Sequence, residues 1–191
     1  MSVWPADLPS EIRSTLEELK INEDRAVSLL AGLSSEALNW RVDDRSWSIA
    51  QCLDHLNVAN RMYLEAMRPT LAEARRRGRL RRDPAQPGWV ERWFVANLEP
   101  PPKRRLPAPK KIIPALRAEK ADLLAEFHRL HEEMAVLLQA SADLDLAVRF
   151  PNPFLPLVRF TVWTGFRVIP THERRHLFQA EELRKKPGFP G

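Results

Sequence analysis

The chain has 191 residues, a formal net charge of +5, 44% hydrophobic and 29% charged residues, and a single cysteine. That is enough for one soluble domain with a real core, read as spanning 1–191, and it leaves no internal disulfide. No apolar run reaches the roughly 18–20 residues of a membrane helix, and the N-terminus lacks the pattern of a secretory signal, so a cytoplasmic protein without a membrane partner is expected.

Four helices are predicted in chain order. The first spans about Pro9 to Ala31, with Ile12, Leu16, Leu19, Val27 and Leu30 forming an apolar stripe at helical spacing. Gly32 to Trp47 reads as a connection. The second helix starts sharply, because Ser48-Ile49-Ala50-Gln51 is a capping box flanked by Trp47 and Cys52 at hydrophobic-staple positions. It continues through Leu53, Leu56, Tyr63 and Leu64. It ends in the run Arg75-Arg76-Arg77-Gly78-Arg79-Leu80-Arg81-Arg82, which reads as a solvated helix end stopped at Gly78. The alternative, a nucleic-acid surface, lacks interleaved aromatics and any surrounding recognition motif.

Residues 83–110 carry Pro84, Pro87, Pro100, Pro101, Pro102, Pro107 and Pro109, which forbid a long helix. They form a long Pro-rich crossover between helices 2 and 3, with a short amphipathic piece around Trp89, Trp93 and Leu98. A connection of this length permits parallel neighbours. The third helix is predicted from about Pro114 to Ala140, with Leu116, Leu123, Phe127, Leu130, Met134 and Leu137 on one stripe. The fourth runs from about Phe160 to Lys186, with Pro170 expected to kink or divide it. No alternating strand pattern is evident, so the fold class is all-α, a four-helix bundle.

Chemistry concentrates in the histidines. His172-Glu173-Arg174-Arg175-His176 fits H-E-x-x-H, and its two histidines, about 40° apart around a helix, can bind one metal. A zinc protease also needs a later third ligand, but only 15 residues follow His176, and Glu181 and Glu182 rise past the site on the same helix. A di-iron carboxylate bundle needs two E-x-x-H motifs, and only Glu173 to His176 supplies one. His55, among Leu53 and Leu56 on the second helix, is the candidate third ligand, with a core histidine as the alternative. His128 and His131 read as surface residues, Glu173 as a surface carboxylate near Arg174 or Arg175, and Cys52 as a core residue. The remaining metal set is His55, His172 and His176. Three neutral imidazoles leave a coordination position open, the catalytic rather than the closed structural pattern.

Together, Leu38-Asn39-Trp40-Arg41, Trp47-Ser48-Ile49-Ala50-Gln51 with Asp54-His55-Leu56, and His172 to Ala180 resemble the DinB-like superfamily. That superfamily includes YfiT-type metal-dependent hydrolases and low-molecular-weight-thiol S-transferases. The resemblance implies an up-down-down-up bundle, a divalent metal (zinc or nickel) on the three histidines, a homodimer, and in some members a thiol cofactor. Its implied activity is thiol S-transfer or hydrolysis on a small molecule that the sequence does not name. The other readings are a non-catalytic, stress-related metal-binding bundle and a nucleic-acid binder using Arg75 to Arg82.

Overall fold

The structure is a computed structural model, and it describes residues 4–82, 84–101, 112, 114, 119–155 and 157–190. The chain is mostly helical. Four long helices, α1 (Ser10–Leu30), α3 (Ile49–Arg76), α5 (Lys120–Ala140) and α6 (Val162–Arg184), carry the core. Two short helices, α2 (Ser35–Asn39) and α4 (Trp89–Leu98), and a hairpin of β1 (Arg149–Pro151) and β2 (Arg159–Thr161) complete the described elements. α1 packs on α5 and α6, and α3 also packs on α5 and α6, so each long helix has two principal neighbours.

Local chemistry sets the helix ends. The capping box at the start of α3 is present: the Gln51 amide donates to Ser48 Oγ at 3.1 Å, and the Ser48 amide donates to Gln51 Oε1 at 3.0 Å. α3 ends at Arg76, and Gly78 follows in the left-handed region at φ 61°, which glycine adopts without strain. Four arginines of the run have acidic partners. Arg75 donates to Asp143, Arg76 and Arg77 bind Glu73, and Arg81 bonds Glu11.

Three expectations are corrected. α5 begins at Lys120, with Glu119 in extended backbone, rather than near Pro114; residues 115–118 of the expected start lie outside the described residues, as do Pro102, Pro107 and Pro109 of the crossover. α6 begins at Val162, because Phe160 belongs to β2 and Thr161 caps the helix through its side chain. Of the two outcomes expected at Pro170, a kink or a division, division does not occur, and α6 runs unbroken to Arg184. The hairpin was not expected at all. Its strands are three residues long, with register Phe150↔Phe160, too short for alternation to register. It is closed by an exchange in which Arg149 donates to the Arg159 carbonyl (2.8 Å) and Arg159 donates to the Arg149 carbonyl (2.6 Å).

The short amphipathic piece is α4, docked by its polar as well as its apolar side. Glu91 is 3% exposed, and its carboxylate accepts from the Gly88 and Thr161 amides, both at 2.6 Å. Phe94 packs on Phe160 with ring centroids 5.1 Å apart. Trp89 and Trp93 of α4 face solvent.

Where α3 and the hairpin meet α6, Gly165 leaves room for the side chains of Met67 and Phe150. A methyl group there would overlap Met67 Sδ and lie 2.9 Å from two ring atoms of Phe150, itself fully buried. Replacement Gly165→Ala is therefore expected to destabilise the fold by about 2 kcal/mol through overpacking, despite alanine's better helix propensity, and thermal melting of the variant checks it.

Candidate metal centre

The core is two apolar clusters with a polar layer between them. One holds Ile12, Leu16, Tyr63, Met67, Leu130, Met134, Phe166 and Ile169, and the other Ala26, Leu30, Leu53, Leu56, Phe127, Leu177 and Ala180. In chain order, Asn22 on α1, Asn60 on α3 and Glu173 on α6 fall between the two clusters, while His131 on α5 lies just inside the first cluster, between Leu130 and Met134. Glu173 has no exposed surface. Its Oε2 accepts from Asn22 Nδ2 at 2.9 Å, and its Oε1 accepts from Asn60 Nδ2 at 2.7 Å and meets His131 Nε2 at 2.9 Å. Asn22 also donates to the Pro170 carbonyl at 2.9 Å. Each of the other three long helices thus sends one partner to a single carboxylate.

This corrects two sequence expectations. Glu173 is not a surface carboxylate beside Arg174; that arginine binds Glu18 and Glu99 instead, and Arg175 donates to the Asn97 carbonyl at 3.2 Å. His131 is not a surface residue either, being 5% exposed, whereas His128 is exposed and bonds Glu23. The flanking charges Glu126, Arg129, Glu132 and Glu133 gave α5 a polar look. The sequence signal for His131 was its place on the Phe127, Leu130, Met134 stripe. Burial opposes charge on the His131 ring, but the charge and hydrogen bond of Glu173 outweigh it and raise the pKa above 6.5.

On the side of α6 next to Glu173, the structure brings His55, His172 and His176 together. One ring nitrogen from each lies within 4.8 Å of the other two. His55 Nε2 and His172 Nε2 are 3.2 Å apart, close to the edge of about 3.3 Å that two nitrogens make around a tetrahedral zinc. Two of the rings are held through their other nitrogen. His55 Nδ1 bonds the Ile112 carbonyl at 2.7 Å, and His176 Nδ1 bonds Gln179 Oε1 at 3.1 Å. A carbonyl oxygen can only accept, so Nδ1 of His55 carries the proton and Nε2 presents its lone pair inward. The donor set therefore fits a divalent metal, with outer partners that fix ring orientation.

Trp47 packs against the same rings, 4.8 Å from His55 and nearly parallel to His176 at 5.6 Å between centroids. Local spacing marks Trp47 as a staple residue and does not show its contact with the histidines. His55 and His176 are 2% and 8% exposed, while His172 keeps partial access to solvent. Burial lowers the pKa of all three. For His172 the neighbouring His176, His55 and Arg175 lower it further, and for His176 burial, His55 and Arg175 bring it to about 3. Cys52 is buried in the core, where burial pushes its thiol up to about 12, so it offers no ready thiolate.

The model of the DinB superfamily matches residues 18–180, and the chain belongs to that superfamily. A solved structure, YfiT from Bacillus subtilis, superposes with a TM-score of 0.63 over 98% of this chain and 94% of its own, at 16% identity. It is described as a probable metal-dependent hydrolase with an unusual four-helix bundle topology, and at that identity the likeness shows the fold. No curated protein matches the sequence.

Two outcomes follow from the polar layer and the triad. Glu173→Ala strands three buried polar partners and is expected to cost about 3 kcal/mol in urea denaturation, with Glu173→Gln, which keeps the volume and one acceptor, costing less. In metal-free protein, the lowered triad pKa values mean that the unfolded chain binds protons the folded chain refuses. Stability should therefore fall as pH drops from 6.5 toward the His176 value of about 3. The raised His131 works oppositely: its contribution is full below 6.5 and is lost as pH rises through its folded pKa. A urea midpoint that peaks near neutral pH is the expected profile.

Proposed function

We propose that this chain is a metal-dependent enzyme acting on a small molecule, with His55, His172 and His176 holding one divalent ion, zinc or nickel. The observation that carries the reading is the convergence of three neutral imidazoles at one point, two of them oriented by oxygen acceptors. A divalent ion on three neutral ligands keeps its full charge and supplies the Lewis acidity that lowers the pKa of a coordinating thiol or water.

The preferred chemistry is transfer of a low-molecular-weight thiol to an electrophile, with hydrolysis as the companion possibility. The protein's own contribution is positional. The Ile112 carbonyl and Gln179 fix two rings, Trp47 covers the buried side of His55 and His176, and access is left on the His172 side. The family membership and the fold shared with YfiT support this reading. So do they support the finer architecture, an up-down-down-up bundle in a single domain with a Pro-rich crossover, which we propose to be a cytoplasmic homodimer.

One observation favours a second reading, a non-catalytic metal-binding protein of the same fold. The carboxylate that the H-E-x-x-H pattern would offer as a general base is engaged in the core by Asn22, Asn60 and His131. Nucleic-acid binding draws less support, because Arg75, Arg76, Arg77 and Arg81 are already paired with acidic side chains.

Elemental analysis of protein purified without a histidine tag should find about one divalent ion per chain, and His176→Ala should reduce it to background. Wild-type protein that carries no stoichiometric divalent ion and binds neither added zinc nor nickel would sink the metal reading. A metal-loaded protein silent across a panel of thiols and electrophiles would favour the non-catalytic one.

A further inference from the structure

The outer face of α4 is apolar where a protein surface is ordinarily polar. Trp89 is 73% exposed and Trp93 61%, and Val90 beside them is 45% exposed. The two tryptophans stand one turn apart and differ by about 40° around the helix axis, so they share one face. The opposite face holds them there. Glu91 lies about 160° around the helix from each tryptophan, and its buried carboxylate accepts from the Gly88 and Thr161 amides. Phe94 packs on Phe160 of the hairpin. With its inner face fixed in this way, α4 cannot roll its tryptophans inward. Leu157, in the loop of the same hairpin, is also fully exposed.

Charge indicates what meets this face. Residues 79–111, with α4 among them, hold nine lysines and arginines against three acids, an excess greater than the +5 of the whole chain. Of those acids, Glu91 is buried and Glu99 is bound by Arg174. Arg92 is exposed on α4, and Lys103, Arg104, Arg105, Lys110 and Lys111 follow it in the sequence. Tryptophans flanked by cations suit an anionic lipid surface. Indole settles at the level of the headgroups, and basic side chains meet their phosphates and carboxylates. A second copy of the chain would bring the same cations against these, so charge opposes a two-fold contact here. A single nucleic-acid strand could stack on the indoles but would leave Val90 and Leu157 without a partner.

We infer that α4 is a docking element for an anionic membrane surface, seated among the headgroups by Trp89 and Trp93 and held by the flanking cations. The contact is peripheral: a ten-residue helix fixed to the protein by one face can lie in the interface but not cross it. The expectation of no membrane partner rests on the lack of a spanning run, which this mode does not need. The inference is independent of the metal reading.

The test is sedimentation of the full chain with vesicles of phosphatidylcholine alone, and of phosphatidylcholine carrying about one-third phosphatidylserine. The protein should bind the anionic vesicles at least about tenfold more tightly than the neutral ones, and the difference should shrink as salt is raised. Trp89→Ser/Trp93→Ser should weaken binding about tenfold and abolish the blue shift of tryptophan emission on adding vesicles. Both side chains lie outside the core, so this variant should melt as the wild type does. Lys103→Ala/Arg104→Ala/Arg105→Ala tests the charge separately from α4, and should weaken binding and flatten its salt dependence. Absence of binding to anionic vesicles at low salt would overturn the inference. So would binding that the double tryptophan variant leaves intact, which is adsorption by charge alone. A single-stranded oligonucleotide held more tightly than vesicles through both tryptophans would give the face another occupant and overturn it too, as would a dimer that the double variant dissociates.

Discussion

A carboxylate sealed inside a helical core is the constraint on which the remaining structure depends. An ionised group without partners there costs several kcal/mol, far more than any single apolar contact nearby returns. Glu173 escapes that penalty only when Asn22, Asn60 and His131 all face it, so α1, α3 and α5 must each present one residue at the same level. Apolar packing alone is permissive, since leucines on opposed stripes can interdigitate in more than one register. A polar layer between two apolar clusters removes that freedom, because a helix sliding by one turn would strand its donor in hydrocarbon. The orientation of α6 follows. With Glu173 pointed at the bundle centre, His172 and His176 lie about 100° and 60° away, both on one flank, where His55 of α3 meets them.

The H-E-x-x-H pattern thus divides its labour differently from the protease it suggests. In a zinc protease the glutamate and both histidines address one ion. Here the histidines address one point and the glutamate another, and the motif couples a core lock to a surface-accessible site through a single turn of helix. Spacing alone carries no information about this, because the direction of the intervening residue depends on which face of the helix is buried.

Much of the fold was legible in the sequence because helix ends and stripes are local. The Ser48 capping box, the Gly78 stop and the stripe of α1 are decided by residues within one or two turns of each other, although Val27, expected on that stripe, is exposed and Ala26 is buried in its place. The three histidines were legible as a set for a related reason: two share a helix face, and the third sits in a stretch that resembles the superfamily the chain belongs to. What escaped depends on partners distant in the chain. The burial of Glu173 and His131 needs asparagines from two other helices, and neither asparagine carries a local signature. The hairpin escaped because Arg149 and Arg159 hold it across a loop by reciprocal carbonyl bonds, a device that leaves no periodicity. The contact of Trp47 with His55 and His176 joins three separate parts of the chain and leaves no local signal.

The grip on His55 comes from a main-chain oxygen, that of Ile112, which lies in the connection between α4 and α5. Every residue type offers the same carbonyl, so the acceptor itself does not depend on the side chain. Its position does, because the Ile112 side chain is 4% exposed and anchors this backbone in the core. A polar residue there would keep the oxygen and lose the anchor, and the imidazole of His55 would be left free to turn. An apolar side chain thus holds a ring that it reaches only through its own backbone.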